Sequence, residues 1–319
     1  MPGMSAPLPR LTTAEILAAR GAKNALDPYR PYAYLVEPEH AASGRVEDVA
    51  TLFLTNRECP FRCLMCDLWK NTTDETVPVG AVPAQIDYAL ERLGPAQHIK
   101  LYNSGNFFDP RAIPREDHAA IAERVNGFET VIVENHPRFC SEACGDFQER
   151  IGTQLEVAIG LETIHPDVLP ALNKQMTLDD YDRAVERLLA DGIRVRTFIL
   201  LRPPGLTEEE GLEWALKSVE HAFSIGVDCC AVIPTRAGNG IMEHLGRAGT
   251  FAPPSLSSLE AVLDAGLAMN RGRVFVDLWD IEQLYDCREC GPARAERLKR
   301  MNLSQTPLPR VACTCGAGR

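Results

Sequence analysis

Three thiols on one short loop, Arg57-Glu58-Cys59-Pro60-Phe61-Arg62-Cys63-Leu64-Met65-Cys66, are the residues of this chain best arranged for chemistry. The C-x3-C-x2-C spacing brings Cys59, Cys63 and Cys66 together around one metal group. Three is the informative number. A structural zinc or an ordinary cubane takes four protein ligands, whereas a [4Fe–4S] cluster held by three leaves one iron open to an outside ligand. A zinc knuckle that borrows a fourth ligand is the rival reading. A second set lies far downstream, Cys287-x-x-Cys290 and, 22 residues on, Cys313-x-Cys315. Two such hooks can close one four-thiolate centre, either an auxiliary [4Fe–4S] cluster or a zinc. The iron–sulfur reading is favoured, because Arg-rich chain between the hooks would compensate an anionic cluster. In either case the tail is expected to fold only with metal bound.

The other cysteines read as packing. Cys140 and Cys144 stand four apart, Cys229 and Cys230 are adjacent within an apolar run, and free cysteine is among the most buried residue types. Eleven cysteines in 319 residues, grouped at ligand spacing, indicate metal in a reducing compartment, so cytoplasm is expected. Met1–Arg10 lacks the basic start and apolar run of a secretory signal, and no apolar stretch is long enough to span a membrane. A net charge of −11 argues against a protein that coats nucleic acid. Residues 287–319 are locally basic, seven Lys or Arg against two Glu, which keeps tRNA as a possible partner.

These residues need a frame, and the pattern supplies one. From residue 49 onward short β-rich runs alternate with amphipathic helical stretches, the signature of β/α units around a parallel sheet. Six strands are expected, at 49–54, 98–102, 130–134, 155–160, 193–201 and 227–233. Helical spacing over 177–190 and 207–224 opens in each case on a Thr placed to cap the first turn. In such barrels function gathers just after each strand. There lie Asn103-Ser104-Gly105-Asn106, Glu134-Asn135-His136, Gly160-Leu161-Glu162-Thr163, Arg202-Pro203-Pro204-Gly205 and the Gly-rich turn 234–240. Of the histidines, only His136 stands at a strand end near this site, and it and Glu134 are the candidates for positioning substrate or moving a proton.

The cysteine loop resembles that of the radical S-adenosylmethionine (SAM) superfamily. Ser104-Gly105-x-Phe107-x-Asp109-Pro110, Ile159-Gly160-Leu161-Glu162-Thr163, Asn173-Lys174 and Leu200-Leu201-Arg202-Pro203-Pro204 occur here in an order similar to one subgroup, the elongator-type proteins and the radical SAM subunit of archaeosine synthase. The likeness covers roughly residues 49–315. It implies a partial (β/α)6 TIM-type barrel and a cluster on Cys59, Cys63 and Cys66 whose open iron chelates SAM. Ser104, Gly105, Asn106 and Glu162 would then position SAM and Lys174 would pair with its carboxylate. Met65 stands where the superfamily usually has an aromatic residue near the adenine, and a thioether can fill that space.

Three segments are expected: an N-terminal extension (1–48) with a helix at 13–20 and a Pro- and Tyr-containing arm, the partial barrel (49–250), and a C-terminal helix, strand and metal-binding tail (251–319). The expected activity is reductive cleavage of SAM and hydrogen abstraction from an organic substrate, with a reductant such as flavodoxin or ferredoxin. The acidic chain favours a small metabolite. The alternatives are a radical lyase acting on tRNA or a nucleobase and, in a different class, a non-catalytic iron–sulfur protein for electron transfer or assembly. A shared radical apparatus does not specify its substrate.

Overall fold

The computed structural model describes residues 8–315. One eight-stranded sheet runs in sequence order, β1 (Ala33–His40), β2 (Val46–Phe53), β3 (His98–Tyr102), β4 (Thr130–Asn135), β5 (Gln154–Glu162), β6 (Arg194–Leu201), β7 (Cys229–Pro234) and β8 (Arg273–Val276). β1 is antiparallel to β2, and every later pairing is parallel. The helices are α1 (Thr13–Ala18), α2 (Ala81–Leu90), α3 (Asp117–Val125), α4 (Glu142–Ile151), α5 (Val168–Ala171), α6 (Leu178–Ala190), α7 (Glu208–Ser224), α8 (Ile241–Arg247), α9 (Leu256–Ala268) and α10 (Gly291–Ser304). The sheet curls into a half-barrel with β1 and β8 as its edges. The six expected strands are present, and the sheet extends beyond them by one strand on each side. Thr177 and Thr207 cap α6 and α7 as expected, each in a reciprocal capping box.

Side chains alternate across each strand, and here the two faces differ in kind. Leu52, Ile99, Leu101, Val131, Val133, Val157, Ile159, Val195 and Ile199 face outward into one continuous apolar core beneath the helices. The inward face carries charged and aromatic residues, set in register with Thr51, Ile132 and Cys229. Lys100, Glu156 and Arg196 are almost wholly buried. With Glu39 and Arg273 they form a connected ionic layer: Lys100–Glu39 2.5 Å, Arg196–Glu39 2.6 Å, Arg196–Glu156 2.6 Å and Arg273–Glu156 3.0 Å. Burial works against the charge on Glu156, yet Arg196 and Arg273 outweigh it and hold the carboxyl down at about 2. Two residues further along the same strands stand Tyr102, Phe198 and Phe275. Tyr102 meets Phe53 and Phe198 at 6.3 Å between ring centroids, and Tyr32 meets Phe53 at 5.6 Å. The half-barrel thus has an ionic floor and aromatic walls above it.

The free edge of β8 is met by α10 rather than by a strand. Asn302 donates to the Val276 carbonyl and accepts from its N–H, and Gln305 does the same for Val274, at 2.8–3.0 Å. The same helix reaches β1, where His40 Nδ1 lies 2.9 Å from the Leu303 carbonyl. α10 therefore bridges the two edges of the open sheet. Because Asn302 pairs with Val276 and Gln305 with Val274, it runs antiparallel to β8, and its first turn lies toward the carboxyl ends of the parallel strands.

Candidate active site

The loop carrying Cys59, Cys63 and Cys66 follows β2 and is held by side-chain amides from three later segments of the chain. Asn106, after β3, donates to Cys59 Sγ at 3.2 Å and accepts from His136 N at 2.8 Å. Asn173, just past α5, donates to the Arg62 carbonyl at 2.8 Å. Asn239, after β7, donates to the Leu64 and Cys66 carbonyls at 2.7 and 3.2 Å. Leu64 is fully buried and its N–H donates to the Leu172 carbonyl. Glu58 draws Arg20, Lys23 and Arg62 around the start of the loop, which ties the N-terminal arm to it. The loop is thus fixed on several sides before any cofactor is considered.

Burial pushes the Cys63 thiol up to about 12 and raises those of Cys59 and Cys66 as well. Lys174 is the first cationic neighbour of Cys59 and Cys63, and its attraction does not offset the burial of their thiols. They ionise only where a metal supplies positive charge, and thiolates are the ligands that an iron–sulfur cluster takes. The donor set fits a cluster bound through three cysteines.

Lys174 Nζ lies 2.6 Å from Glu162 Oε1, both side chains nearly buried. Burial opposes the charge on Lys174, but Glu162 and then Cys63 outweigh it, so its pKa is raised. A slip in register at Gly160 and Glu162 and a positive φ of 66° at Glu162 turn the carboxyl into the mouth. A Cβ on Gly160 would come within 2.2 Å of Glu162 Oε1 and 2.6 Å of Lys174 Nζ. A side chain at 160 would therefore displace the ends of the ion pair. Ser104, also at positive φ, bonds Tyr32 at 2.8 Å between oxygens, and Gly105 approaches Cys59. Asn106 spends its amide on Cys59 and His136, so in this arrangement it anchors the loop. Met65 packs against the apolar group formed by Leu64, Val168, Leu200 and Ile241.

His136 stacks on Phe61 at 3.8 Å between centroids. Its Nδ1 accepts from Arg138 N at 3.2 Å and its Nε2 faces the Lys174 carbonyl at 3.0 Å. Burial pushes its pKa down to about 3, so it is a neutral ring with both nitrogens engaged. Glu134 differs. It faces inward from the end of β4, with the backbone of residues 103–105 as its hydrogen-bonding partner, and burial pushes its carboxyl up to about 7. Tyr32 and Tyr102 are close enough to feel its charge.

The tail hooks also converge. The sulfurs of Cys287, Cys290, Cys313 and Cys315 all lie within 4.8 Å of one another, with Cys290 and Cys315 at 3.7 Å. Three of the seven basic residues read in this tail are engaged internally. Arg294, wholly buried, bonds Glu260 and Ser257, Arg297 bonds Asp264 and the carbonyls of Leu308 and Pro309, and Arg310 also faces Asp264. Cys140, Cys144, Cys229 and Cys230 are buried.

A family model for the radical SAM superfamily matches residues 54–218. The chain belongs to the radical SAM superfamily. It is 23% identical over 313 residues to an uncharacterised protein of Methanocaldococcus jannaschii, covering 91% of this chain and 86% of that one. It is 25% identical over 273 residues to archaeosine synthase subunit beta of Methanosarcina acetivorans, covering 79% of this chain and 77% of that one. Among solved structures it shares its fold with Elp3 of Methanocaldococcus infernus, with a TM-score of 0.53 and 17% identity over 80% of this chain. It spans 63% of that structure's length. SuiB of Streptococcus suis aligns with a TM-score of 0.52 and 11% identity, covering 72% of this chain and 48% of that one. The radical SAM chain described here is thus an enzyme of this superfamily, which implies a [4Fe–4S] cluster and SAM. Among the described residues no helix is long and apolar enough to cross a membrane.

Proposed function

We propose that this radical SAM enzyme abstracts hydrogen from a small organic molecule held inside the half-barrel. When bound, the cluster supplies the electron that cleaves SAM to methionine and a 5′-deoxyadenosyl radical, with flavodoxin or ferredoxin as the class of donor. The chain's own residues do the positioning. Glu162 and Lys174 present opposite charges side by side, the complement of an amino acid zwitterion, so they take the amino and carboxylate groups of SAM. Ser104 and Gly105 offer the neighbouring turn. Glu134, unpaired by any cation and flanked by Tyr32 and Tyr102, holds or accepts a substrate proton at its carboxyl oxygen. His136 acts as a buttress for Phe61 and Asn106.

The observation that carries the small-molecule reading is the ionic floor beneath aromatic walls. Lys100, Glu39, Arg196, Glu156 and Arg273 close the inner space from below, and the pairing of Arg294 and Arg297 removes part of the positive footprint that a nucleic acid requires. A second reading, a base within an RNA, draws on the likeness to proteins named archaeosine synthase subunit beta. One experiment separates them. Reconstituted enzyme with dithionite and SAM is given the low-mass fraction or the RNA fraction of a cell extract, and 5′-deoxyadenosine is measured. Stimulation by the low-mass fraction is expected. Stimulation by RNA alone, lost on ribonuclease treatment, would replace the first reading with the second. Release that persists after Cys59, Cys63 and Cys66 are all changed to Ala would overturn both.

A further inference from the structure

We infer that Cys287, Cys290, Cys313 and Cys315 hold a single zinc ion, and that this ion locks α10 across the open seam of the half-barrel. The sulfur geometry distinguishes an ion from a cluster. Four thiolates about 2.3 Å from one tetrahedral zinc stand about 3.8 Å apart along each edge. In a cubane each cysteine points outward from its own iron, which separates the sulfurs by roughly 6 Å. The tail sulfurs lie within 4.8 Å of one another and one pair at 3.7 Å, the spacing of the single ion. Among the described residues this tight four-sulfur grouping occurs at the tail and not at the Cys59–Cys63–Cys66 loop. Of the two readings left open for the tail, iron–sulfur cluster and zinc, this spacing favours zinc.

Both hooks are tied to α10. Cys290 immediately precedes it, and Gly291 closes against Tyr285 so tightly that a Cβ would come within 2.5 Å of the ring. The second hook returns along the same helix, held by Arg297 on the carbonyls of Leu308 and Pro309. Arg294 stands beside Cys290 and answers to Glu260 of α9, which places a cation next to an anionic four-thiolate site. The far end of this helix carries Asn302 and Gln305, whose amides occupy the edge of β8, and Leu303, which meets β1. Zinc at one end of α10 thus fixes the element that joins β8 to β1. Being redox-inert, it neither delivers nor accepts an electron in the reaction.

The test uses the full chain, anaerobically reconstituted and freed of loosely bound metal. Elemental analysis is expected to give about one zinc and about four iron per chain. About eight iron without zinc would overturn the proposal. The double variant C313S/C315S is expected to lose its zinc while keeping the iron content and visible absorbance of the radical SAM cluster. Should that variant not fold, wild-type protein grown with cobalt serves instead. Tetrahedral cobalt–thiolate absorption supports a single-ion site, and its absence in protein free of zinc counts against it. Hydrogen exchange reads the second half of the proposal. Removing zinc with a chelator is expected to speed exchange at the Val274 and Val276 amides at least tenfold, and unchanged exchange there would refute the coupling to the seam.

Discussion

Glu134 and Glu162 are two carboxyls on neighbouring strands with opposite surroundings. Glu162 is neutralised by Lys174 at 2.6 Å, whereas Glu134 accepts from the backbone of residues 103–105, and burial pushes it up to about 7. If Glu134 accepts a proton from substrate, turnover should climb as pH rises through about 7, and E134Q should flatten that profile. Protein that retains the full profile after E134Q has its base elsewhere. The same shift bears on stability. The folded chain keeps this proton to higher pH than the unfolded chain, so the stabilisation is complete below the ordinary carboxylate range and is lost as pH rises to about 7. At Gly160, the Ala variant should push the Glu162–Lys174 pair apart and weaken SAM affinity about tenfold, a loss of about 1.4 kcal/mol, with cluster absorbance retained. Isothermal titration under anaerobic conditions measures it. The cysteines and Glu162 were legible from spacing and strand position. The anchoring roles of Asn106, Asn173 and Asn239 were not, because an amide that grips a carbonyl or sulfur from a distant loop leaves no periodic trace in sequence.

At the scale of elements, the parallel strands from β2 to β7 follow directly from their apolar runs, and two edge strands do not. β1 is half-buried, carries Pro38 and follows a Pro- and Tyr-containing arm, so its alternation is blurred by residues that serve an edge. β8 has four residues and opens on Arg273, whose charge belongs to the ionic layer. Composition alone reads that Arg as solvent-facing. The helix beside β8 gives a direct test. Replacing Asn302 and Gln305 with Ala removes four edge hydrogen bonds and should cost about 1 kcal/mol for each pair, since the freed strand groups regain water. Chemical denaturation of the double variant beside wild type checks the size of the loss.

Across the whole molecule, the ionic layer decides what the half-barrel can hold. R196M leaves Glu39 and Glu156 without their shared partner and should destabilise the protein by about 3–5 kcal/mol. Thermal melting of the variant should show a marked drop. A melting temperature equal to wild type would mean that water enters the floor. The seam beside α10 has a different kind of consequence. A strand added at that position would knit to β8 along its whole length and set the girth of the barrel once. A helix satisfies its own backbone and meets the edge of β8 through two side-chain amides and the apolar packing of Leu298 and Met301. The girth of the half-barrel at this seam is therefore set by side chains rather than by a backbone ladder, so a change at Asn302 or Gln305 resets it while the parallel strands stay in register.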